Sequence, residues 1–558
     1  MAVKAPDQQK TKTIGQYLLD RLSSCGVEHI FGVPGDYILQ FDKLIENHEI
    51  DFINATRENT AGYMADAYAR LRGIGVACTT HGVGINITNA VSQAFVENSP
   101  MVIISGTAGT EEFASCHYLH HMFQCRTDQL RDTTQMEIFR KITVAQALLD
   151  NPYTAQEQID HTIEQCLKHK KPVYIEIPRD QVEQSIMLKD SSVFPPENED
   201  REALAEVLEE TAQFLKASNR PVIWVGHEIQ RHQLSEAVLQ FAEKYRIPIV
   251  SSLLGKTTIS EYHPLYMGIY QGKMSLTEVT EYVENADTVF VLGVVLNEIE
   301  TGIQTSNIKS KQKILATSDE IKVNHHHYPN VSMEALVNGL ASLDLNIRYR
   351  SDYPANIDRR LAPFKPQTGA KITVKRLFEC LQGFLHPEHL VVSDFGDSLF
   401  GCSDLMIEQD NFISNPYFAT LGFGVPAAVG AALAVPHKRA VGVVGDGAFQ
   451  MTCTELSTAV RYGLDPVIIL LNNHGYGTER PLLEGEYNDI VDWNYSKMPL
   501  LLGAGHGVCV RTEEELEKAF QHAFKEKGTF QLIEIVLDQD DLSPALHRFS
   551  QALLGRTS

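Results

Sequence analysis

Long apolar runs are missing from this chain. No uninterrupted apolar stretch approaches the ~18 residues that a membrane-spanning helix needs, so no membrane association is expected. Positive charge is scarce: 48 Lys and Arg against 71 Asp and Glu leave a net charge of −23. That balance argues against nucleic acid or an anionic membrane as a partner. Cysteine is sparse and unpatterned, nine in 558 residues with no CxxC pair and no zinc-type spacing. Neither a disulfide framework nor a structural zinc is expected, and free thiols in a reducing compartment are. The N-terminal stretch MAVKAPDQQKTKT lacks an apolar signal core, so the expected location is cytoplasmic. Low-complexity segments and short-period repeats are absent too.

What remains is an ordinary globular composition, 43% hydrophobic and 21% charged. The length suggests three domains of roughly 150–200 residues, with expected bounds 1–190, 200–350 and 365–558. In the first, apolar runs at 27–31, 52–55, 76–79, 101–105 and 173–177 alternate with helical segments. One of these carries Ile14, Leu18 and Leu22 and ends near Gly26. The second has strand candidates at 222–225, 247–251 and 289–292 and a helix at 235–245. Residues 195–200 read as a linker, and 351–368 as a polar closing stretch. Such alternation implies an α/β fold built on doubly wound, mostly parallel sheets.

The most informative stretch runs from Arg439 to Glu479. An apolar strand, 440–444, meets Gly445-Asp446-Gly447. A helix follows, with Phe449, Cys453, Leu456 and Val460 at helical spacing and Gly463 at its end. A second apolar strand, 467–471, then ends at Asn472-Asn473. In a βαβ unit the polar residues fall at the carboxyl ends of the strands, where open α/β sheets bind ligands. Asp446 is a hard anionic oxygen donor between two glycines that allow close approach, and the helix beginning near Ala448 favours an anion. One carboxylate, the Asn473 amide and a backbone carbonyl would suit Mg²⁺ holding a diphosphate.

Two dozen residues separate Gly447 from Asn472. With that spacing the chain closely resembles the thiamine-diphosphate-dependent 2-keto acid decarboxylases, which act on pyruvate, indolepyruvate, phenylpyruvate and branched-chain keto acids. The resemblance implies thiamine diphosphate and Mg²⁺ as cofactors, a small 2-keto acid as substrate, and a homo-oligomer, a dimer of dimers. It also implies pyrimidine-binding, middle and diphosphate-binding domains in that order.

The resemblance assigns roles residue by residue. Glu58, in Arg57-Glu58-Asn59-Thr60-Ala61-Gly62-Tyr63, would bond the cofactor's pyrimidine ring. Leu421 would be the wedge that bends the cofactor, and the Ala419 carbonyl would hold its amino group; many relatives carry glycine at the latter position. Gly445, Asp446, Gly447, Ala448, Asn473, Gly475 and Tyr476 would cradle the diphosphate and its metal. Asp36, the pair His120-His121, and Glu479 would handle protons during loss of CO₂ and release of aldehyde. Leu399, Phe400, Thr478 and His81 would line the substrate pocket. The amphipathic segment 542–554 would form a lid. Relatives often read Gly-Tyr-Thr-x-Glu where this chain has Gly475-Tyr476-Gly477-Thr478-Glu479, and Gly477 is expected to loosen that turn. His325-His326-His327 is expected at a strand end of the middle domain, without a catalytic part.

Leu399 and Thr478 are moderate in size, so the pocket need not be restricted to pyruvate. Two alternatives share the cofactor: a carboligase, against which the His pair, Asp36 and Glu479 argue, and a non-catalytic relative, against which Glu58 and the intact GDG–NN pair argue.

Overall fold

The apolar runs become parallel strands, and the reason is visible in their burial. In the computed structural model, which describes residues 11–114, 118–123, 132–189, 200–310, 312–349 and 361–557, the chain divides into two compact units, 1–196 and 197–558. The expected linker at 195–199, the N-terminal head and residues 351–360 of the polar stretch lie outside the described residues.

In the first unit six strands form one parallel sheet: β1 (His29–Gly32), β2 (Asp51–Asn54), β3 (Gly75–Thr80), β4 (Met101–Thr107), β5 (Gln146–Leu148) and β6 (Val173–Pro178). Their order is β2-β1-β3-β4-β6-β5. Helix α1 (Ile14–Ser24) opens with a capping box in which Thr13 and Gln16 satisfy each other's free backbone donors. It buries Leu18 and Leu22 completely and gives way to Gly26, whose φ of +86° suits only glycine well. Helix α2 (Glu58–Arg72) is buried from Thr60 through Arg70. Its mid-helix charges are therefore internal: Arg70 pairs with Asp66 at 2.8 Å and with Glu97 at 2.8 Å.

The second unit carries two sheets. The first has strands β7 (Pro221–Val225), β8 (Ile249–Ser251), β9 (Tyr266–Ile269), β10 (Thr288–Leu292), β11 (Gln312–Ala316), β12 (Ile321–Val323) and β13 (His326–His327), ordered β9-β8-β7-β10-β11-β12-β13. The last two pairings are antiparallel and the rest parallel. Ile223, Val225, Phe290 and Leu292 enter the core on one face, while Val222, Trp224, Val289 and Val291 enter a core on the other. A sheet covered on both faces needs apolar residues at consecutive positions, which is why the runs do not alternate. Helix α3 (Ser235–Tyr245) lies where the spacing places it.

The second sheet comprises β14 (His389–Ser393), β15 (Phe412–Ile413), β16 (Arg439–Gly445), β17 (Val467–Asn472), β18 (His506–Val510) and β19 (Gln531–Val536), all parallel, ordered β15-β14-β16-β17-β19-β18. Four helices matter for the site: α4 (Asp397–Ser403), α5 (Gly424–Ala434), α6 (Asp446–Thr452) and α7 (Leu456–Arg461). The single helix expected after Asp446 is in fact α6 and α7 joined by a 3₁₀ turn at Cys453–Glu455. Thr452 leaves helical geometry with φ −141°, and Gly422 packs so close that an added Cβ would lie 2.9 Å from the Thr452 methyl. The C-terminal helix α8 (Pro544–Thr557) packs Leu546 and Phe549 against Phe400 of α4 and against Met274 and Ile303.

Candidate active site

One group of the candidate site residues is assembled at the carboxyl ends of β16 and β17. Asp446 starts α6 directly after β16 and is fully buried. Its Oδ1 accepts the Gly447 N–H at 2.8 Å and its Oδ2 accepts the Gly475 N–H at 3.0 Å. Burial pushes its carboxyl up to about 6, against the pull of those backbone donors. The two asparagines after β17 part company. Asn472 turns into the interior, where its Nδ2 donates to Glu534 of β19 at 3.0 Å. Asn473 faces the site, with its amide oxygen 3.3 Å from Asp446 Oδ1 and 3.1 Å from the Gly475 carbonyl.

Those three oxygens are acceptors with no hydrogen among them. Turned over, the amide would donate its nitrogen to both neighbours. One orientation is a closed hydrogen-bond network and the other a cage for a hard cation. A buried carboxylate, an amide oxygen and a carbonyl are the donor set Mg²⁺ takes when water and phosphate oxygens complete its shell. The residues therefore fit the implied metal.

The loop after β17 is held by close backbone approach. Gly475 has φ +144°, and a Cβ there would sit 2.0 Å from the Asn488 carbonyl. Tyr476 N–H donates to that same carbonyl at 2.8 Å. The Tyr476 ring lies over Gly447, 2.7 Å from where a Cβ would be. Gly477 does not loosen this turn as expected: its missing Cβ makes room for Asn473 Nδ2, which would be 2.2 Å away. Arg480, itself buried, braces the loop by donating to Asp489 at 2.7 Å and Glu484 at 2.6 Å.

One cavity of about 160 Å³ brings together Ala419, Leu421, the Gly445–Ala448 turn, Asn473 and the Gly475–Glu479 loop. Thr478 is half-buried on its wall, and Glu479 is exposed. Leu399 and Phe400 are not among its lining residues. Leu399 points into the core beneath the sheet, and Phe400 packs on Phe549 of α8 with ring centroids 4.7 Å apart. Their neighbours Asp397 and Ser398 line the cavity instead.

Sequence reasoning missed the residue that shapes the Ala419–Leu421 segment. Asp394, at the end of β14, is completely buried. It accepts backbone N–H groups from Gly424 at 2.7 Å, Gly422 at 3.1 Å and Phe395 at 2.9 Å. Burial raises its carboxyl to about 7. Asn415 closes the other side, donating to the Thr420 carbonyl at 2.7 Å. The only hint in the sequence is an acidic residue at the end of an apolar strand, and that pattern is common.

The first unit carries the other group of residues. Glu58 is the first residue of α2, and Asn86 donates to its Oε2 at 2.9 Å. Asp36 meets His120, Oδ2 to Nε2, at 2.8 Å. The His120 and His121 rings lie 4.7 Å apart. Tyr37 stacks on His120 and places its hydroxyl 3.2 Å from Nδ1. His81 is wholly buried, 3.6 Å from Glu176 and edge-on to Phe123, so its surroundings are those of an interior side chain. His326 and His327 form the edge strand β13 and are exposed.

Fold and site together define a doubly wound α/β enzyme of the thiamine diphosphate type. The chain matches three thiamine pyrophosphate enzyme family profiles: the N-terminal TPP binding domain over 12–132, the central domain over 208–342 and the C-terminal TPP binding domain over 394–535. It is 34% identical to the indole-3-pyruvate decarboxylase of Azospirillum brasilense, over 96% of this chain and 98% of that protein. It is 32% identical to pyruvate decarboxylase 4 of Arabidopsis thaliana, over 96% and 90%. With pyruvate decarboxylase 1 of Pisum sativum it shares 31%, over 98% and 94%. The chain belongs to the thiamine-diphosphate-dependent 2-keto acid decarboxylase family and is a carboxy-lyase. Among the described residues no helix is long and apolar enough to cross a membrane.

Proposed function

We propose that this enzyme converts a longer-chain, branched or aromatic 2-keto acid to the aldehyde and CO₂, using thiamine diphosphate and Mg²⁺. The observation that carries the metal half of this reading is the convergence of Asp446, Asn473 and the Gly475 carbonyl on one point. Bound thiamine diphosphate supplies a nucleophilic carbon and a sink for the electrons that CO₂ leaves behind. The chain supplies the rest. Asp446, Asn473 and Gly475 hold the metal, and Gly445, Gly447, Ala448 and Tyr476 make room for the diphosphate. Ala419 and Leu421 would contact the cofactor's central part, in a segment whose end at Gly422 and Gly424 is held by Asp394. Glu58, oriented by Asn86, holds the pyrimidine ring.

Asp36, His120, His121 and Glu479 move the protons. The Asp36–His120 contact lets a proton be held between a carboxylate and an imidazole. Glu58 belongs to the first unit and Asp446 to the second. A homodimer in which one copy supplies Glu58 and the other the diphosphate site is the smallest working form, and two such dimers make a tetramer. Cytoplasmic location agrees with the free thiols and acidic balance. Thr478 on the cavity wall is of moderate size, which leaves space beyond a methyl group. The names of the relatives bracket this range, from pyruvate to indolepyruvate.

The test is aldehyde release, followed through a coupled alcohol dehydrogenase, across pyruvate, 2-ketoisovalerate, phenylpyruvate and indolepyruvate, with Glu58→Gln beside the wild type. Aldehyde from the wild type and a loss of at least ~10²-fold in the variant support the reading. Consumption of keto acid with acyloin instead of aldehyde would replace it with carboligation.

A further inference from the structure

Two imidazoles and a carboxylate at one place are a metal-binding set as well as a proton relay. Among the described residues, Asp36, His120 and His121 are the one group of three such side chains whose ligand atoms all lie within 4.8 Å of one another. We propose that they form a site for a divalent transition-metal ion of the zinc type, and that the ion's arrival silences the enzyme.

The chemistry of the set separates it from the magnesium site. Mg²⁺ demands oxygen ligands in an octahedron, whereas two nitrogens and one oxygen suit Zn²⁺ or Co²⁺ with a fourth position left to water. Bonds of ~2.0–2.2 Å to a tetrahedral metal place its ligand atoms roughly 3.3 Å apart. Asp36 Oδ2 and His120 Nε2 stand at 2.8 Å and need to part slightly. The His121 ring has to swing inward by an ångström or so. Within the single chain His120 is 59% and Asp36 39% exposed, so its own packing locks neither side chain.

A second observation favours a ligand here. The Tyr37 hydroxyl engages His120 at Nδ1, 3.2 Å away, and stacks its ring on the imidazole with centroids 4.9 Å apart. That leaves Nε2 turned to Asp36 and fixes the ring plane. A hydrogen bond to the non-ligating nitrogen is the outer-shell arrangement that orients metal-binding histidines. Tyr37 is itself anchored: it is buried, and the Arg179 guanidinium lies 5.3 Å over its ring while pairing with Glu112. The backbone at His121 is fixed as well. Its carbonyl would lie 2.2 Å from a Cβ at Gly82, so only glycine there permits the approach.

Binding needs only these side chains. Silencing rests on the proposed function, because the ion would occupy the lone pairs that the relay uses. The experiment separates the two. Holoenzyme with millimolar Mg²⁺ and thiamine diphosphate is titrated with Co²⁺, read by its visible d–d absorption, and then with Zn²⁺ as competitor. One Co²⁺ per chain is expected, displaced by Zn²⁺. Asp36→Asn and His121→Gln, each verified as folded by circular dichroism, are expected to weaken binding at least 100-fold. Tyr37→Phe keeps all three ligands and should weaken it about 10-fold. Replacing His325, His326 and His327 together by Asn should change neither Co²⁺ binding nor basal activity. The site is overturned if the Asp36 and His121 variants bind as the wild type does, or if the triple variant abolishes binding. Aldehyde release should fall as Zn²⁺ fills the site and return with chelator and Mg²⁺. Full activity in a Zn²⁺-loaded enzyme would overturn the silencing while the site stands. A wild type inactive on every keto acid would overturn the proposed function and leave the site to the Co²⁺ result.

Discussion

Gly475 donates its backbone N–H to Oδ2 of Asp446 over 3.0 Å, which ties the loop after β17 to the first residue of α6. This bond engages Oδ2, while Oδ1, which accepts the Gly447 N–H, is the oxygen nearer Asn473. Asp446→Ala removes both the tie and the carboxylate proposed to bind the metal. The wild type should gain stability from thiamine diphosphate plus Mg²⁺, by about 2.7 kcal/mol at a hundredfold excess over Kd. Thermal melts with and without chelator should show that gain vanishing in the variant.

Gly475 is equally exposed to steric change. With φ +144° and the Asn488 carbonyl 2.0 Å from the position of a Cβ, Gly475→Ala forces the loop away from Asn488. The expected cost is about 2–3 kcal/mol. Urea denaturation measures it, and isothermal titration should show weakened Mg²⁺-dependent cofactor binding.

Ala419 has φ +59°, a left-handed conformation that costs a residue with a Cβ roughly 1 kcal/mol. Ala419→Gly should therefore raise the urea midpoint by the equivalent of about 1 kcal/mol. Because the carbonyl proposed to hold the cofactor is a backbone atom, kcat should change less than twofold. A drop in stability would show that the Ala419 methyl packs productively.

Asp397 connects the cavity wall to the C-terminal helix, its Oδ2 accepting the Ser543 N–H at 3.0 Å just ahead of α8. Burial raises this carboxyl to about 6. The native state thus holds the proton more tightly than the unfolded chain, whose aspartates titrate near 3.9. Its contribution to stability is greatest below that value and is lost as pH climbs through about 6. Asp397→Asn keeps an acceptor and removes the titration. The wild type should lose stability relative to this variant between about pH 4 and 6, with a constant difference above. Asp397→Ala removes the acceptor as well, and limited proteolysis should then release α8 sooner.

Much of this was legible in the residues. β16 and β17 were readable because strands buried on both faces must be apolar at consecutive positions. The Gly-Asp-Gly break and the terminal asparagines stood out because nothing else in a buried strand–turn–helix calls for them. The helix break at Cys453 was not legible, since Phe449, Cys453, Leu456 and Val460 keep helical spacing on either side of it. At the break Thr452 is packed against Gly422, thirty residues earlier in the chain. The resemblance put Leu399 in the pocket, yet α4 begins at Asp397 and its turn carries Leu399 inward. Asp394 stayed hidden because its partners are backbone N–H groups, which no side-chain pattern announces.

The sequence by itself determined the family, the sheet-forming segments and the chemical identity of the donors, because those follow from residue type and local spacing. Tertiary structure decided which way each donor faces. Asn472 and Asn473 are chemically identical neighbours, and successive side chains leave a strand on opposite sides. Glu534, on a strand formed sixty residues later, takes Asn472 into the core and leaves Asn473 to the cavity. The family's motif singled out Asn473 in the sequence, but the physical reason for the choice is this non-local pairing.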